Sequence, residues 1–175
     1  VRLDLIQAQA EALGLPLQQV TLPTQPTNAQ YEAQLAAALR PLQQQGTSHI
    51  VYGDLFLEDI RSYRDWQLQN LGWQALYPLW QTDTAQLARA FIDAGFRTRV
   101  VCVDTTQLDA GFVGREFDAA FLDDLPAAVD PCGENGEFHT FVYAGPLFKQ
   151  PIPIRVGDTW QVAELFQYCD LLLST

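Results

Sequence analysis

A chain of 175 residues, 48% of them hydrophobic, can bury one good core or two small ones and is not a disordered polymer. Its formal net charge of −11 argues against nucleic acid or an anionic membrane as partner, because both are gripped by clustered Lys and Arg; the surplus acid serves solubility. No apolar run approaches the ~20 residues that cross a bilayer, and no charged-then-apolar leader opens the chain.

Val1 already lies in a helical pattern and the sequence has no Met, so further residues are expected upstream. Leu3, Ile6, Ala10 and Leu13 share a face and stop at Gly14. Leu17 to Leu22 reads as a strand. Tyr31, Leu35, Ala38 and Leu42 outline a second helix ending near Gly46, which Pro41 should bend or shorten. His49 to Tyr52 is a second strand, followed by Gly53-Asp54. A third helix runs through Ile60, Tyr63 and Leu71 to Gly72, and a fourth through Leu87, Ala88 and Phe91 to Gly95. Each glycine supplies the left-handed residue that closes a helix end. Thr27 with Gln30, and Asp83 with Gln86, have capping-box spacing at two helix starts. Arg99 to Val103 is a third strand.

Helix and strand alternate here with strands about 25–30 residues apart, a spacing that suits βαβ crossovers in a parallel sheet. The apolar run Val100-Val101-Cys102-Val103 predicts burial on both faces. In such sheets ligands bind beyond the C-terminal ends of the strands, where Gly53, Asp54 and Asp104 fall. From about Pro78 the pattern changes to a helix over Glu116 to Leu125, a strand over Phe138 to Tyr143, and one or two strands between Ile152 and Thr175. Pro146, Pro151 and Pro153 confine the chain between them to edges and turns. The expected organisation is an α/β domain over residues 1–80 and a smaller mixed α+β unit over residues 81–175.

The densest chemistry lies between Asp130 and Gly145. Gly133, Asn135 and Gly136 form a polar elbow, with Glu134, Glu137 and His139 at the mouth of the strand that follows. Strict alternation puts Glu137, His139 and Phe141 on one face and Phe138, Thr140 and Val142 on the other. A carboxylate beside an imidazole can take a proton from an ammonium nucleophile or orient it. The plainer reading has Glu134 and Glu137 capping the elbow's amides and His139 as a half-buried strand residue. A metal cage of Cys132, Glu134, Glu137 and His139 matches no standard zinc spacing. Cys102, Cys132 and Cys169 are odd in number and lack CxxC spacing, so neither a disulfide framework nor a zinc knuckle is indicated, and a reducing cytoplasm is expected.

In order along the chain, Val51-Tyr52-Gly53-Asp54 with Arg61, Pro78-Leu79-Trp80, Val113-Gly114-Arg115, Gly133-Glu134-Asn135-Gly136-Glu137-Phe138-His139-Thr140 and Gly145-Pro146-Leu147-Phe148 resemble the diphthine–ammonia ligase family. That family belongs to the N-type ATP pyrophosphatases of the PP-loop superfamily. The resemblance implies a Rossmann-like sheet of the adenine nucleotide alpha-hydrolase type. It also implies activation of a carboxylate by ATP as an acyl-adenylate, with pyrophosphate lost and ammonia then attacking to give an amide and AMP. The family's Ser-Gly-Gly-Lys-Asp-Ser loop would lie upstream of Val1. Asn135, His139 and Asp59-Ile60-Arg61 depart from the usual diphthine-directed pattern and look like the bacterial branch.

On this resemblance Glu134, Glu137 and His139 are the candidate catalytic groups. Arg61, Gly114, Arg115, Gly133, Asn135, Gly136 and Thr140 are the candidate substrate-binding residues, and Gly53 and Asp54 the nucleotide-binding ones. ATP with Mg2+ is the expected cofactor, and ammonia and a carboxylate acceptor are the expected partners; a homodimer is compatible. Asp54 reads equally as a helix N-cap, Gly53 as a plain turn glycine, and Arg115 as a surface partner of Glu116 or Asp118. Arg61, Arg64 and Lys149 can be solvated charges, and Trp66, Trp73, Trp80 and Trp160 core or domain-seam packing. The rival readings are a binding protein that kept the fold without catalysis, and a metal-dependent hydrolase centred on the Glu/His cluster.

Overall fold

The computed structural model describes residues 1–174, and Thr175, the last residue of the expected C-terminal strands, lies outside them. The elements in chain order are α1 (Leu3–Leu13), α2 (Asn28–Gln44), β1 (His49–Val51), α3 (Glu58–Asn70), β2 (Gln74–Leu76), α4 (Thr84–Asp93), β3 (Arg97–Asp104), α5 (Ala119–Asp124), β4 (Phe138–Ala144), β5 (Ile154–Val162) and β6 (Phe166–Leu173). They form two compact units, one of Gln18–Gln81 and one of Val1–Leu17 with Thr82 onward.

In the Gln18–Gln81 unit, α2 opens with a complete capping box. The Gln30 N–H donates to Thr27 Oγ1 at 3.2 Å and the Thr27 N–H to Gln30 Oε1 at 2.9 Å. The helix runs through Pro41 to Gln44 rather than stopping there. One missing N–H is tolerated in its last turn, where α2 already packs Leu39 and Leu42 against Leu68 and Trp73. β1 and β2 pair in parallel from His49↔Gln74 to Val51↔Leu76, with α3 as the crossover. β2 has three residues, too few for alternation to announce it. The expected strand at Leu17–Leu22 does not form: the backbone there is irregular, and Leu17, Val20 and Leu22 stay 37–41% exposed without a ladder partner.

The other unit is built on a four-stranded sheet in the order β4-β3-β6-β5, antiparallel throughout. This corrects the expectation that Arg99–Val103 continues a parallel sheet; among the described residues parallel pairing is confined to β1 and β2. Double-sided burial of Val100–Val103 does occur, for a different reason. Val101 packs into a cluster with Leu5 and Ala12 of α1, Phe141 and Leu171, while Val100 and Val103 pack with Ala88 of α4, Phe121 of α5 and Phe138. Helices therefore cover both faces of an antiparallel sheet. A register shift between Val100 and Cys102 opposite β4 inserts one extra residue and breaks simple alternation.

The sequence division at residue 80 grouped α1 with the first part of the chain. In the structure its residues belong with Thr82 onward: Leu5 is fully buried, Gln9 donates to the Val142 carbonyl at 2.7 Å, and the Ala12 carbonyl accepts from the Lys149 N–H at 2.8 Å. A periodic face in the sequence does not say which sheet it will cover.

One buried polar cluster stiffens the sheet. Tyr143 donates its hydroxyl to Glu116 Oε1 at 2.6 Å, and Glu116 also meets Arg97 at 3.3 Å and Arg99 at 3.0 Å. Burial, followed by the bond to Glu116, pushes the Tyr143 phenol up to about 12 from its ordinary 10.0. The folded chain then holds a proton that the unfolded chain has lost, so stability is complete below pH ~10 and falls as pH rises toward ~12, by up to roughly 2 kcal/mol. Urea midpoints at pH 9 and pH ~11.5 should diverge less in Tyr143→Phe than in the parent. An identical pH slope in both would remove Tyr143 as the source.

Candidate active site

The elbow between α5 and β4 is closed by two carboxylates. Asp130 Oδ2 accepts the N–H groups of Cys132 at 3.1 Å and Glu134 at 2.9 Å, while its carbonyl takes the Gly133 N–H at 2.9 Å. Glu137 Oε1 accepts the Asp130 N–H at 2.9 Å and the Asn135 side-chain amide at 3.0 Å. The Glu137 carbonyl accepts from the Asp104 N–H at 2.9 Å, which fastens the elbow to the end of β3. Gly133 and Gly136 adopt φ of +70° and +85°, the left-handed region that glycine enters without strain.

Glu137 is 1% exposed, and its second oxygen, Oε2, makes no hydrogen bond to any described residue. A buried carboxylate oxygen left without a donor is costly, and such atoms call for an explanation in ligand or chemistry. Cys132 donates its thiol to the Thr84 carbonyl at 3.3 Å. Burial, then the nearby Asp130 and Glu134, push that thiol up to about 12, so it is a protonated structural group and a poor metal ligand or nucleophile. Among the described residues no three of His, Cys, Asp and Glu converge as a metal cage requires.

His139 and Thr140, the next polar residues of β4, are exposed and line a cleft of about 680 Å³ with Cys102, Trp160 and Tyr168. Glu137 and His139 thus differ sharply in setting, the first enclosed in the elbow and the second on open surface. Gly114, at φ +78°, donates its N–H to the Val100 carbonyl at 2.8 Å; a Cβ there would stand 3.3 Å from Cys169 Sγ. Arg115 pairs with Asp124 at 2.7 Å, and not with Glu116 or Asp118. Its guanidinium lies 4.8 Å from the centre of the Phe112 ring. Glu116 is taken by Tyr143 and the two arginines, and Asp118 caps α5 through the Phe121 N–H at 2.8 Å.

The Gln18–Gln81 unit holds a second group at the C-terminal ends of its parallel strands. Tyr52 follows β1, Tyr77 follows β2, and their rings stack at 5.7 Å. Arg64 lies 4.2 Å over Tyr52, and Arg61 lies 4.8 Å from Tyr77 and 4.5 Å from Trp80. Two guanidiniums one helical turn apart lie over aromatic rings at the edge where such sheets take ligands. Asp54 Oδ2 meets Arg64 Nε at 3.0 Å instead of capping α3, whose N-cap is Leu57 without a side-chain bond. Gly53 has open space around it. Tyr77 donates to Asp65 at 3.0 Å, and burial, then that bond, raise its phenol well above the ordinary value.

Trp73 is the one tryptophan of the four that is fully core, at 5% exposed; Trp66 and Trp160 are 54% and 46% exposed. Sequence reasoning passed over Cys102, Tyr168, Trp160, Arg2 and Asp170 around the cleft. The register of β3, β6 and β5 brings the strand residues together and the N-cap of α1 adds Arg2, and no local pattern encodes either.

No curated protein matches the chain. A sequence profile described as "Diphthamide synthase C-terminal domain" matches residues 83–170, from the N-cap of α4 to Asp170 in β6, and contains the whole elbow. That is just over half of the 175 residues, and the matched stretch is the one whose two carboxylates and obligatory glycines build the elbow, so the chain belongs to the diphthamide synthase C-terminal domain family.

Proposed function

We propose that this chain is part of an ATP-dependent amide-forming ligase of the diphthine–ammonia ligase type. The reaction activates a carboxylate as an acyl-adenylate with release of pyrophosphate, and ammonia then displaces AMP. The observation that carries the reading is the buried Glu137, whose Oε1 is fixed by two donors while Oε2 has none, inside the segment matched to the family. A carboxylate oriented in this way is suited to take a proton from ammonium, leaving neutral ammonia to attack the acyl-adenylate and displace AMP. Glu134 and His139 complete the proposed set. Gly133, Asn135 and Gly136 shape the elbow, and Thr140 lies beside His139. Arg115 would grip a substrate carboxylate only by exchanging Asp124 for it.

In the other unit, Arg61 and Arg64 would offer planar donors to phosphate oxygens by exchanging Asp65 and Asp54, which they meet at 3.7 and 3.0 Å. ATP fits that donor set. Asp54, once released from its 3.0 Å pair with Arg64, would be the carboxylate to hold Mg2+ beside the phosphates. The three free cysteines suit a reducing cytoplasm. Among the described residues no helix is long and apolar enough to cross a membrane.

Full-length protein carrying this chain should form AMP and pyrophosphate from ATP only when ammonium and an acceptor are both present. The assay runs over diphthine and a panel of small carboxylic acids. Nucleotide binding without AMP for any acceptor would instead favour a non-catalytic relative. The structural service of Glu137 Oε1 within the elbow supports that second reading.

A further inference from the structure

The antiparallel sheet places four chemically different side chains in one row. His139 of β4 lies opposite Cys102 of β3, Cys102 opposite Tyr168 of β6, and Tyr168 opposite Trp160 of β5. Directly opposed residues share a sheet face, and all four line the cleft of about 680 Å³. Cys102 is 3% exposed and burial raises its thiol above the ordinary value, so it forms an inert floor. Trp160 and Tyr168 stack on one another at 5.6 Å with 14° between their planes, a parallel aromatic pair.

The two carboxylates that line this cleft differ in their partners. Arg2 and Asp170 at one end neutralise each other through two bonds of 2.8 and 2.6 Å. Asp158, which also lines the cleft, has no hydrogen-bond or ion-pair partner for its carboxylate among the described residues. An anionic ligand would meet that carboxylate unshielded. An apolar ring would leave it unused.

We infer that the cleft binds a flat cationic nitrogen group of the guanidinium type, stacked on an outer face of the Trp160–Tyr168 pair with its N–H groups donated to Asp158. Aromatic faces attract cations, and a planar fork of donors matches a carboxylate in a way that a tetrahedral ammonium does not. The strongly acidic chain raises the local concentration of any such cation. Asp158 and Trp160 lie outside the residues given a part in amide formation, so the binding stands or falls separately from the ligase reading.

Calorimetric titration of the full-length protein with arginine amide tests this. Citrulline amide keeps the shape and the α-amino group without the side-chain charge, and lysine amide keeps the side-chain charge without the plane. Arginine amide alone should bind saturably. Asp158→Asn and Trp160→Leu should each weaken it by about tenfold, while Trp160→Phe, which retains a ring, stays within about threefold. A capped Ala-Arg-Ala peptide binding more tightly than the free amide would place the guanidinium on a protein partner; the reverse order would place it on a small molecule. Equal binding of citrulline amide or lysine amide overturns the inference, as does full affinity in both Asp158→Asn and Trp160→Leu, or no saturable binding. Trp160 is half-exposed on an edge strand and Asn is isosteric with Asp, so neither change threatens the fold.

Discussion

Glu137→Gln in the full-length protein should lower amide-forming turnover by about 10²-fold or more while leaving the elbow folded. The two parts of this expectation belong to different oxygens of one side chain. Oε1 accepts from the Asp130 N–H and the Asn135 amide, and a glutamine carbonyl can take both bonds unchanged. Oε2, which has no donor among the described residues, becomes an NH2 group that cannot accept a proton. A catalytic base is therefore lost and a loop clamp kept. AMP formation and the urea midpoint, measured on the same preparation, separate the two services. Undiminished AMP production would remove Glu137 from the chemistry. A large fall in the midpoint would show that the elbow needs the charge, in which case the rate says nothing of catalysis. Glu137→Ala serves as the contrast: it strips both oxygens from a site 1% exposed, leaves the Asp130 N–H buried without an acceptor, and should cost roughly 2–4 kcal/mol.

The elbow was legible in the sequence because its logic is local. Two glycines, an asparagine between them and a strand behind declare a turn without reference to the rest of the chain, whereas the clamp by Asp130 had no such signal. The helix ends were legible for the same reason: Gly14, Gly72 and Gly95 all take positive φ, Thr27 closes a full capping box, and Asp83 caps α4 by accepting the Gln86 N–H without the reciprocal bond. Sheet direction was not legible. The run Val100 to Val103 reports burial on both faces, but α1 on one side and α4 with α5 on the other bury an antiparallel strand as completely as a parallel one. The alternation that joined Glu137 to His139 was also incomplete information. It fixes which face a side chain leaves, but not whether a preceding loop folds back to enclose it, as Asp130 does to Glu137. The row His139–Cys102–Tyr168–Trp160 depends on three registers between distant segments, two of them interrupted by register shifts. No single-sequence pattern contains that.

Gly133→Ala should be the most destabilising single-methyl change in the elbow, at roughly 2–4 kcal/mol, with Gly136→Ala near 1 kcal/mol. Both glycines hold positive φ, +70° and +85°, so both substitutions carry the same conformational penalty. Their surroundings differ. A Cβ on Gly133 would stand 2.9 Å from the Phe138 carbonyl oxygen and 3.2 Å from its ring, whereas nothing lies within 4 Å of one on Gly136. The Phe138 backbone belongs to β4 and its ring to the packed cluster with Phe117 and Phe121, so neither can yield without disturbing the core. Movement of Phe138 would also drag Glu137, its neighbour, away from the Asp130 N–H. The same variant should therefore lose both stability and turnover, and Gly136→Ala should lose little of either. Thermal unfolding of the two variants side by side checks this. Equal midpoints would mean that the elbow is loose enough to absorb a methyl group, and a loose elbow could not hold Glu137 in the fixed orientation that proton abstraction from ammonium demands.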